Sequence, residues 1–237
     1  MTYRRILAIG DIHGNYQKFS TLWKRLDFDE TQDLAIFLGD YTDRGKENRA
    51  IMEWVLGQVG KSNRVFLRGN HEEMMLASLL GVDRELWLQN GGDETARSLQ
   101  GMENLQDFLL RWAQAIKSMP YFYEVRQDGR TYWFMHAGLK LGVPLAEQDP
   151  QTLLWDRDFA MMSQYDGEEV ITTGHTPLPY LSYYMGKDLG DQPLILDGGR
   201  RILTDTGGFI QGGRISAVDV LTQQIWQSDP MPGLGGY

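Results

Sequence analysis

Four histidines punctuate this chain of 237 residues, and each closes an apolar run: Asp11-Ile12-His13, Gly69-Asn70-His71, Met135-His136-Ala137 and Gly174-His175-Thr176. A fifth stretch, Gly39-Asp40-Tyr41-Thr42-Asp43-Arg44-Gly45, ends a run in the same way without a histidine. Short apolar runs that stop at glycine read as buried strands entering tight turns. If those strands are neighbours, their ends deliver four histidines, Asp11, Asp40, Asp43, Asn70 and Arg44 to one place. Such a set describes a metal site with a clamp for phosphate.

The periodicity around these runs predicts how they are joined. Arg5 to Gly10 reads as a strand, followed by a helix carrying Phe19, Leu22, Trp23 and Leu26 on one face. Leu34 to Gly39 repeats the pattern, with a helix over about Glu47 to Val59, and Arg64 to Leu67 is a third strand. Strand, polar turn and helix in succession predict parallel strands whose carboxyl ends share one edge, where open α/β sheets bind ligands. From Glu73 to Met119 the pattern turns helical, with Leu105, Phe108, Leu109, Trp112 and Ile116 as one core stripe. Tyr121 to Val125 and Thr131 to His136 read as a hairpin. Val170 to Gly174, Pro193 to Leu196, Ile202 to Thr204, Arg214 to Leu221 and Gln224 to Trp226 then read as strands of a second, largely antiparallel sheet. The stretch from Pro230 to Tyr237 reads as unstructured, and no repeat or long linker divides the chain. One domain over 1–237 is expected, with a helical insertion at about 73–119.

Composition narrows the chemistry. With 42% hydrophobic residues the chain can bury a full core, and it contains no cysteine, so a metal must be held by oxygen and imidazole. The net charge of −9 is spread along the chain without a basic stripe, which argues against a nucleic-acid partner. No run approaches the ~18 apolar residues of a membrane span. The two arginines near the amino terminus lead into a run too short for a signal peptide. A cytoplasmic protein is the expectation.

Asp11 and His13, two residues apart in a turn, can reach one cation. Asp40 ends the neighbouring strand, and its two oxygens can bridge two cations close enough to activate water for in-line displacement. Asn70, His136 and His175 complete the second site. Oxygen and nitrogen donors of this kind suit manganese, iron or zinc rather than calcium.

Gly10-Asp11-Ile12-His13-Gly14, Gly39 to Gly45, Gly69-Asn70-His71-Glu72, His136-Ala137-Gly138 and Gly174-His175 stand in an order that resembles the calcineurin-like metallophosphoesterases. Within that group the chain is similar to the bacterial and bacteriophage lambda-type phosphoprotein phosphatases, and Asp205-Thr206-Gly207 resembles a late motif of theirs. The resemblance implies an α/β fold of two packed mixed sheets flanked by helices, a four-layer αββα sandwich. It implies two divalent ions, foremost Mn²⁺, one held by Asp11, His13 and Asp40 and the other by Asp40, Asn70, His136 and His175. A hydroxide bridging them would attack phosphorus. His71, oriented by Asp43, would protonate the departing alkoxide, work suited to an imidazole near neutral pH. Arg44 and Arg157 would grip the phosphate oxygens. Trp87, Asn90-Gly91-Gly92 and Thr95 resemble a stretch at the edge of the lambda-type site. The substrate would be a phosphoprotein or a small phosphorylated molecule, foremost a serine or threonine phosphoprotein; oligomeric state stays open. A symmetrical bis(5′-nucleosyl)-tetraphosphate hydrolase is the rival on the same scaffold, disfavoured because such enzymes commonly lack an aspartate at position 43 and carry aspartate at position 72. A scaffold without catalysis is a second rival, disfavoured because no ligand is missing.

Overall fold

Alternation within the strands builds the centre of the molecule. In β1 (Arg5–Ile9), Ile6 and Ala8 face one side while Leu7 and Ile9 face the other, because successive side chains on a strand point to opposite faces. The first pair joins Leu34, Ile36 and Leu38, Tyr132 and Phe134, Ile202 and Val218 in an apolar layer between two sheets. The second pair joins Phe37 and Phe66 beneath helices, with Phe19, Leu22, Ile51, Val55, Phe108 and Trp112 packed on them. In this computed structural model, which describes residues 2–230, the expected layers of helix, sheet, sheet and helix are present. The expectation for residues 231–237 lies outside the described range.

The first sheet has the order β10-β9-β1-β2-β3, with β2 (Asp33–Phe37) and β3 (Arg64–Phe66) parallel to β1. Helices α1 (Tyr16–Arg25) and α2 (Asn48–Leu56) make the crossovers. The segment expected to be helical contains α3 (Asn70–Leu79), α4 (Arg84–Trp87), α5 (Asp93–Ser98) and α6 (Leu105–Ser118). Its Phe108, Trp112 and Ile116 are buried as the stripe predicted.

The second sheet, order β4-β5-β6-β8-β7, corrects one expectation. It is mixed rather than largely antiparallel. β4 (Phe122–Gln127) and β5 (Arg130–Met135) form the hairpin, but β5, β6 (Val170–Thr173) and β8 (Arg201–Leu203) run parallel. The connections explain this, because α7 (Pro150–Trp155) and α8 (Asp158–Met161) lie between β5 and β6, and α9 (Leu178–Met185) lies between β6 and β8. Crossovers of that length return the chain in the same direction, and only β7 (Leu194–Leu196) pairs antiparallel to β8. A second correction concerns β9 (Ser216–Asp219) and β10 (Ile225–Gln227), which belong to the first sheet. β9 fills the open edge of β1, and the Asp219 carboxylate accepts the Ile6 N–H at 3.1 Å. No helix among the described residues is long and apolar enough to cross a membrane.

Candidate metal centre and phosphate cleft

Parallel strands in both sheets end on the same rim. Asp11 and His13 follow β1, Asp40 to Arg44 follow β2, and Asn70 and His71 open α3 just after β3. From the second sheet His136 follows β5, His175 follows β6 and Asp205 follows β8. Turning these strand ends sharply inward puts His13, Asp40, Asp43, Arg44 and His175 at φ of 47°, 53°, 72°, 66° and 63°. Left-handed backbone at residues other than glycine costs about 1–3 kcal/mol each and persists where the surroundings over-determine it, most often at functional sites. Gly69 owes its size to a close approach rather than to a left-handed turn. Its φ is −96°, but a Cβ there would sit 2.3 Å from Asp40 Oδ1, so the residue is small because the chains approach so closely.

Asp40 stands between two groups of imidazoles. Its Oδ2 lies 3.5 Å from His13 Nε2 and 3.8 Å from His71 Nε2, whereas its Oδ1 lies 3.4 Å from His136 Nε2. Hydrogen bonds set which ring nitrogen faces inward. His13 Nδ1 meets the Thr42 carbonyl at 3.0 Å and His136 Nδ1 the Leu38 carbonyl at 2.7 Å, leaving each Nε2 as the electron-pair donor. His175 turns Nδ1 inward, 3.1 Å from Asn70 Oδ1. The Asp11 carboxylate accepts the His175 N–H at 3.1 and 3.2 Å and reaches within 3.9 Å of His13 Nε2.

This cluster is poorly matched to itself without added charge. Burial pushes the Asp11 carboxyl well above the usual range, and the neighbouring Asp205 and Asp40 carboxylates add to it. Burial likewise lifts Asp205 to about 6. For His136 burial works against protonation, yet the carboxylates of Asp40 and Asp11 outweigh it and carry the imidazole up to about 9. His13 is held well below its normal value by burial and by Arg44. Buried Nε2 of His175, Nε2 of His71 and Oδ2 of Asp205 have no hydrogen-bond partner. Two groups of donor atoms, from His13, Asp40 and His71 and from Asp40, His136 and His175, each gather within 4.8 Å. Oxygen and imidazole donors in two such groups, sharing Asp40 and left partly unsatisfied, fit a pair of divalent cations.

Beside them lies a fixed pair. His71 Nδ1 donates to Asp43 Oδ2 at 2.7 Å, and both side chains are buried. Thr95 Oγ1 donates to Asp43 Oδ1 at 2.6 Å, and Trp87 Nε1 donates to both oxygens at 3.0 and 3.1 Å. The stretch expected at the site edge therefore acts on Asp43, which spacing alone did not reveal. The wide turn Leu88–Gly92 between α4 and α5 brings the Gly91 carbonyl 3.1 Å from the Arg44 N–H. In the sequence Glu72 belongs to a motif and counts against the rival hydrolase, without a structural role. Its carboxylate accepts the N–H groups of Asp40, Tyr41 and Gly69 at 2.8, 2.9 and 3.0 Å, tying the start of α3 to the end of β2. Burial raises it to about 7.

A cleft of about 250 Å³ opens over the cluster, lined by Asp40, Arg44, Asn70, Asn90, Arg157 and His175, with Trp155, Tyr180 and Phe209 on its walls. All ten residues singled out from the sequence thus lie in this cleft or in the buried cluster beneath it. Asp205 stood in a recognised motif without a role, and Phe209 carried no local signal.

Fold and site together define a metallophosphatase, and the chain belongs to the calcineurin-like phosphoesterase family, whose model matches residues 4–204. It is 32% identical over 183 residues to serine/threonine-protein phosphatase 1 of Salmonella typhimurium, covering 74% of this chain and 80% of that one. It is also 26% identical over 239 residues to an asymmetrical bis(5′-nucleosyl)-tetraphosphatase, PrpE, of Geobacillus sp., covering 90% and 89%. Among solved structures, a protein serine/threonine phosphatase from Saccharomyces cerevisiae superposes with a TM-score of 0.61 at 15% identity, covering 98% of this chain and 81% of that one. At that identity the likeness speaks for the fold.

Proposed function

We propose that the chain is a protein serine/threonine phosphatase, the described layers and the helices between β3 and β4 acting as one catalytic unit. The observation that carries this is the His71–Asp43 pair at 2.7 Å, with the other ring nitrogen buried, unpartnered and 3.8 Å from Asp40. A serine or threonine alkoxide is a strongly basic leaving group and needs a proton as it departs. A nucleotide leaving a phosphoanhydride is weakly basic and does not. An installed proton donor is thus more useful on phosphomonoesters of alcohols than on dinucleoside polyphosphates. The cleft volume agrees, since 250 Å³ lies below the ~300–1,000 Å³ of sites that engulf whole small molecules.

In this reading Asp11, His13 and Asp40 hold one divalent ion, and Asp40, Asn70, His136 and His175 hold the other, with Mn²⁺ as the metal of choice. Bound there, the ions supply Lewis acidity toward phosphoryl oxygen and make water nucleophilic at neutral pH. Arg44 and Arg157 orient the phosphoryl group. His71 keeps one proton at Nδ1 for Asp43 and delivers another from Nε2 to the leaving oxygen, while Thr95 and Trp87 stop Asp43 from turning away.

The test is a side-by-side measurement of kcat/KM on a phosphoserine peptide, a phosphotyrosine peptide and a bis(5′-adenosyl) tetraphosphate. The phosphoserine peptide should be preferred, and a clear preference for the dinucleotide would overturn the assignment. Chelation should abolish turnover, and Mn²⁺ should restore it best among divalent ions; full activity in metal-free protein would sink the metal reading. Arg44→Ala and Arg157→Ala should retain both ions and weaken inhibition by free phosphate, each by about 1.5–3 kcal/mol, the worth of a charge-assisted contact. Unchanged phosphate inhibition in Arg157→Ala would remove that residue from the clamp.

A further inference from the structure

Several arginines away from the cleft pair with carboxylates, and Arg5, Arg64, Arg68 and Arg201 among them also lie on aromatic rings. Arg4 and Arg5 share Asp33, Arg64 pairs with Glu30, Arg68 with Glu73 at 3.0 Å and Arg201 with Asp197 at 2.9 Å. Arg44 and Arg157 keep the ring but lack the carboxylate, although the site beside them is rich in aspartate. Among the described residues neither forms an ion pair with a carboxylate, so the aromatic ring beneath each is its main side-chain support. The Arg44 guanidinium carbon is 4.1 Å from the centre of the Phe209 ring, and that of Arg157 is 5.0 Å from the centre of the Tyr180 ring. Both arginines and both rings line the same cleft.

The difference matters chemically. A carboxylate would occupy the fork of N–H donors and cancel the charge that a phosphoryl group has to meet. A ring face attracts the guanidinium through its quadrupole while leaving the donors along the edge free. Other contacts hold these arginines weakly. Arg157 Nη1 reaches the His175 carbonyl only at 3.5 Å. Arg44 Nη1 is 3.0 Å from His13 Nε2, a lone pair that a bound cation would claim. With that lone pair taken, Phe209 remains, and it also meets the His13 ring edge-on at 4.7 Å.

We propose that Phe209 and Tyr180 are positioning residues, aromatic platforms that hold Arg44 and Arg157 toward the phosphoryl group with their charge undivided. This rests on the reading of the two arginines as the phosphate clamp. Exposure of Tyr180 supports it, because a ring left 41% accessible on α9 contributes little to the core.

The experiment titrates inorganic phosphate into the Mn²⁺-loaded chain by calorimetry, with metal content measured in parallel. Tyr180→Leu and Phe209→Leu should each weaken phosphate binding about three- to tenfold, the size of a partly exposed cation–π contact. Tyr180→Phe and Phe209→Tyr, which keep a ring, should bind as the wild type does. In an Arg157→Ala background Tyr180→Leu should cost almost nothing further, and Phe209→Leu likewise after Arg44→Ala, since the platform acts only through its arginine. Leucine variants that bind phosphate normally, or that lose as much without the arginine as with it, overturn the proposal. Phosphate binding that ignores both Arg→Ala changes overturns the clamp reading itself. Should Phe209→Leu shed metal through its contact with His13, the Tyr180 variants decide alone.

Discussion

His71→Asn is expected to keep both metal ions and to slow phosphoserine hydrolysis about 10²–10⁴-fold, the usual worth of a positioned proton donor. The loss should follow the leaving group. p-Nitrophenolate departs largely unaided, so p-nitrophenyl phosphate should be far less affected when chemistry limits the rate. Asp43→Asn should show the same pattern more mildly, because the ring would lose the carboxylate that holds Nδ1 at 2.7 Å. The measurement also settles a competing reading. His71 shares a group of donor atoms with His13 and Asp40, all within 4.8 Å, so it could ligate the first ion instead. Its Nδ1 is committed to Asp43, which leaves Nε2 free for either role. A His71→Asn protein that lost a metal ion, or that slowed equally on both substrates, would move His71 into the ligand set.

The second large effect is expected at Asp40. Its two oxygens face different histidines, His13 and His71 on one side and His136 on the other. Asp40→Asn should therefore empty both sites at metal concentrations that load the wild type, with turnover falling as far as it does on chelation. Asp11→Asn should mainly deplete one site, since the Asp11 carboxylate comes within 3.9 Å of His13 Nε2. Metal-to-protein ratios after dialysis give the answer. Two ions retained at wild-type affinity in Asp40→Asn would show that this carboxylate bridges nothing.

Much of the site was legible because its parts follow strands. An apolar run ending in Gly-Asp or Gly-Asn-His announces both the strand and the polar group at its carboxyl end, and parallel strands carry those ends to one rim. Asp11, Asp40 and Asn70 could be placed together for that reason, and the second sheet supplies His136 and His175 by the same rule. The groups that steady them were less visible. Trp87 and Thr95 hold Asp43 from 44 and 52 residues away, and although resemblance put their stretch at the site edge, nothing local signals the bonds to Asp43. Phe209 sits in a glycine-rich loop where its ring has no periodic pattern to join.

Local sequence by itself determined the elements and the chemistry at their ends: alternating and helical apolar patterns, turn residues, and a donor set of oxygen and imidazole with no thiol. Tertiary structure alone decided which strands pair. β9 and β10 read locally like members of the second sheet, yet they complete the open edge of β1. Pairing is a contest between distant edges, and the winner depends on where a crossover returns the chain. The same holds for the left-handed turns at His13, Asp40 and His175, whose strain is sustained by contacts from remote segments. It holds most of all for Arg44 and Arg157, whose side chains meet a ring rather than a carboxylate only because the fold puts Phe209 and Tyr180 beneath them.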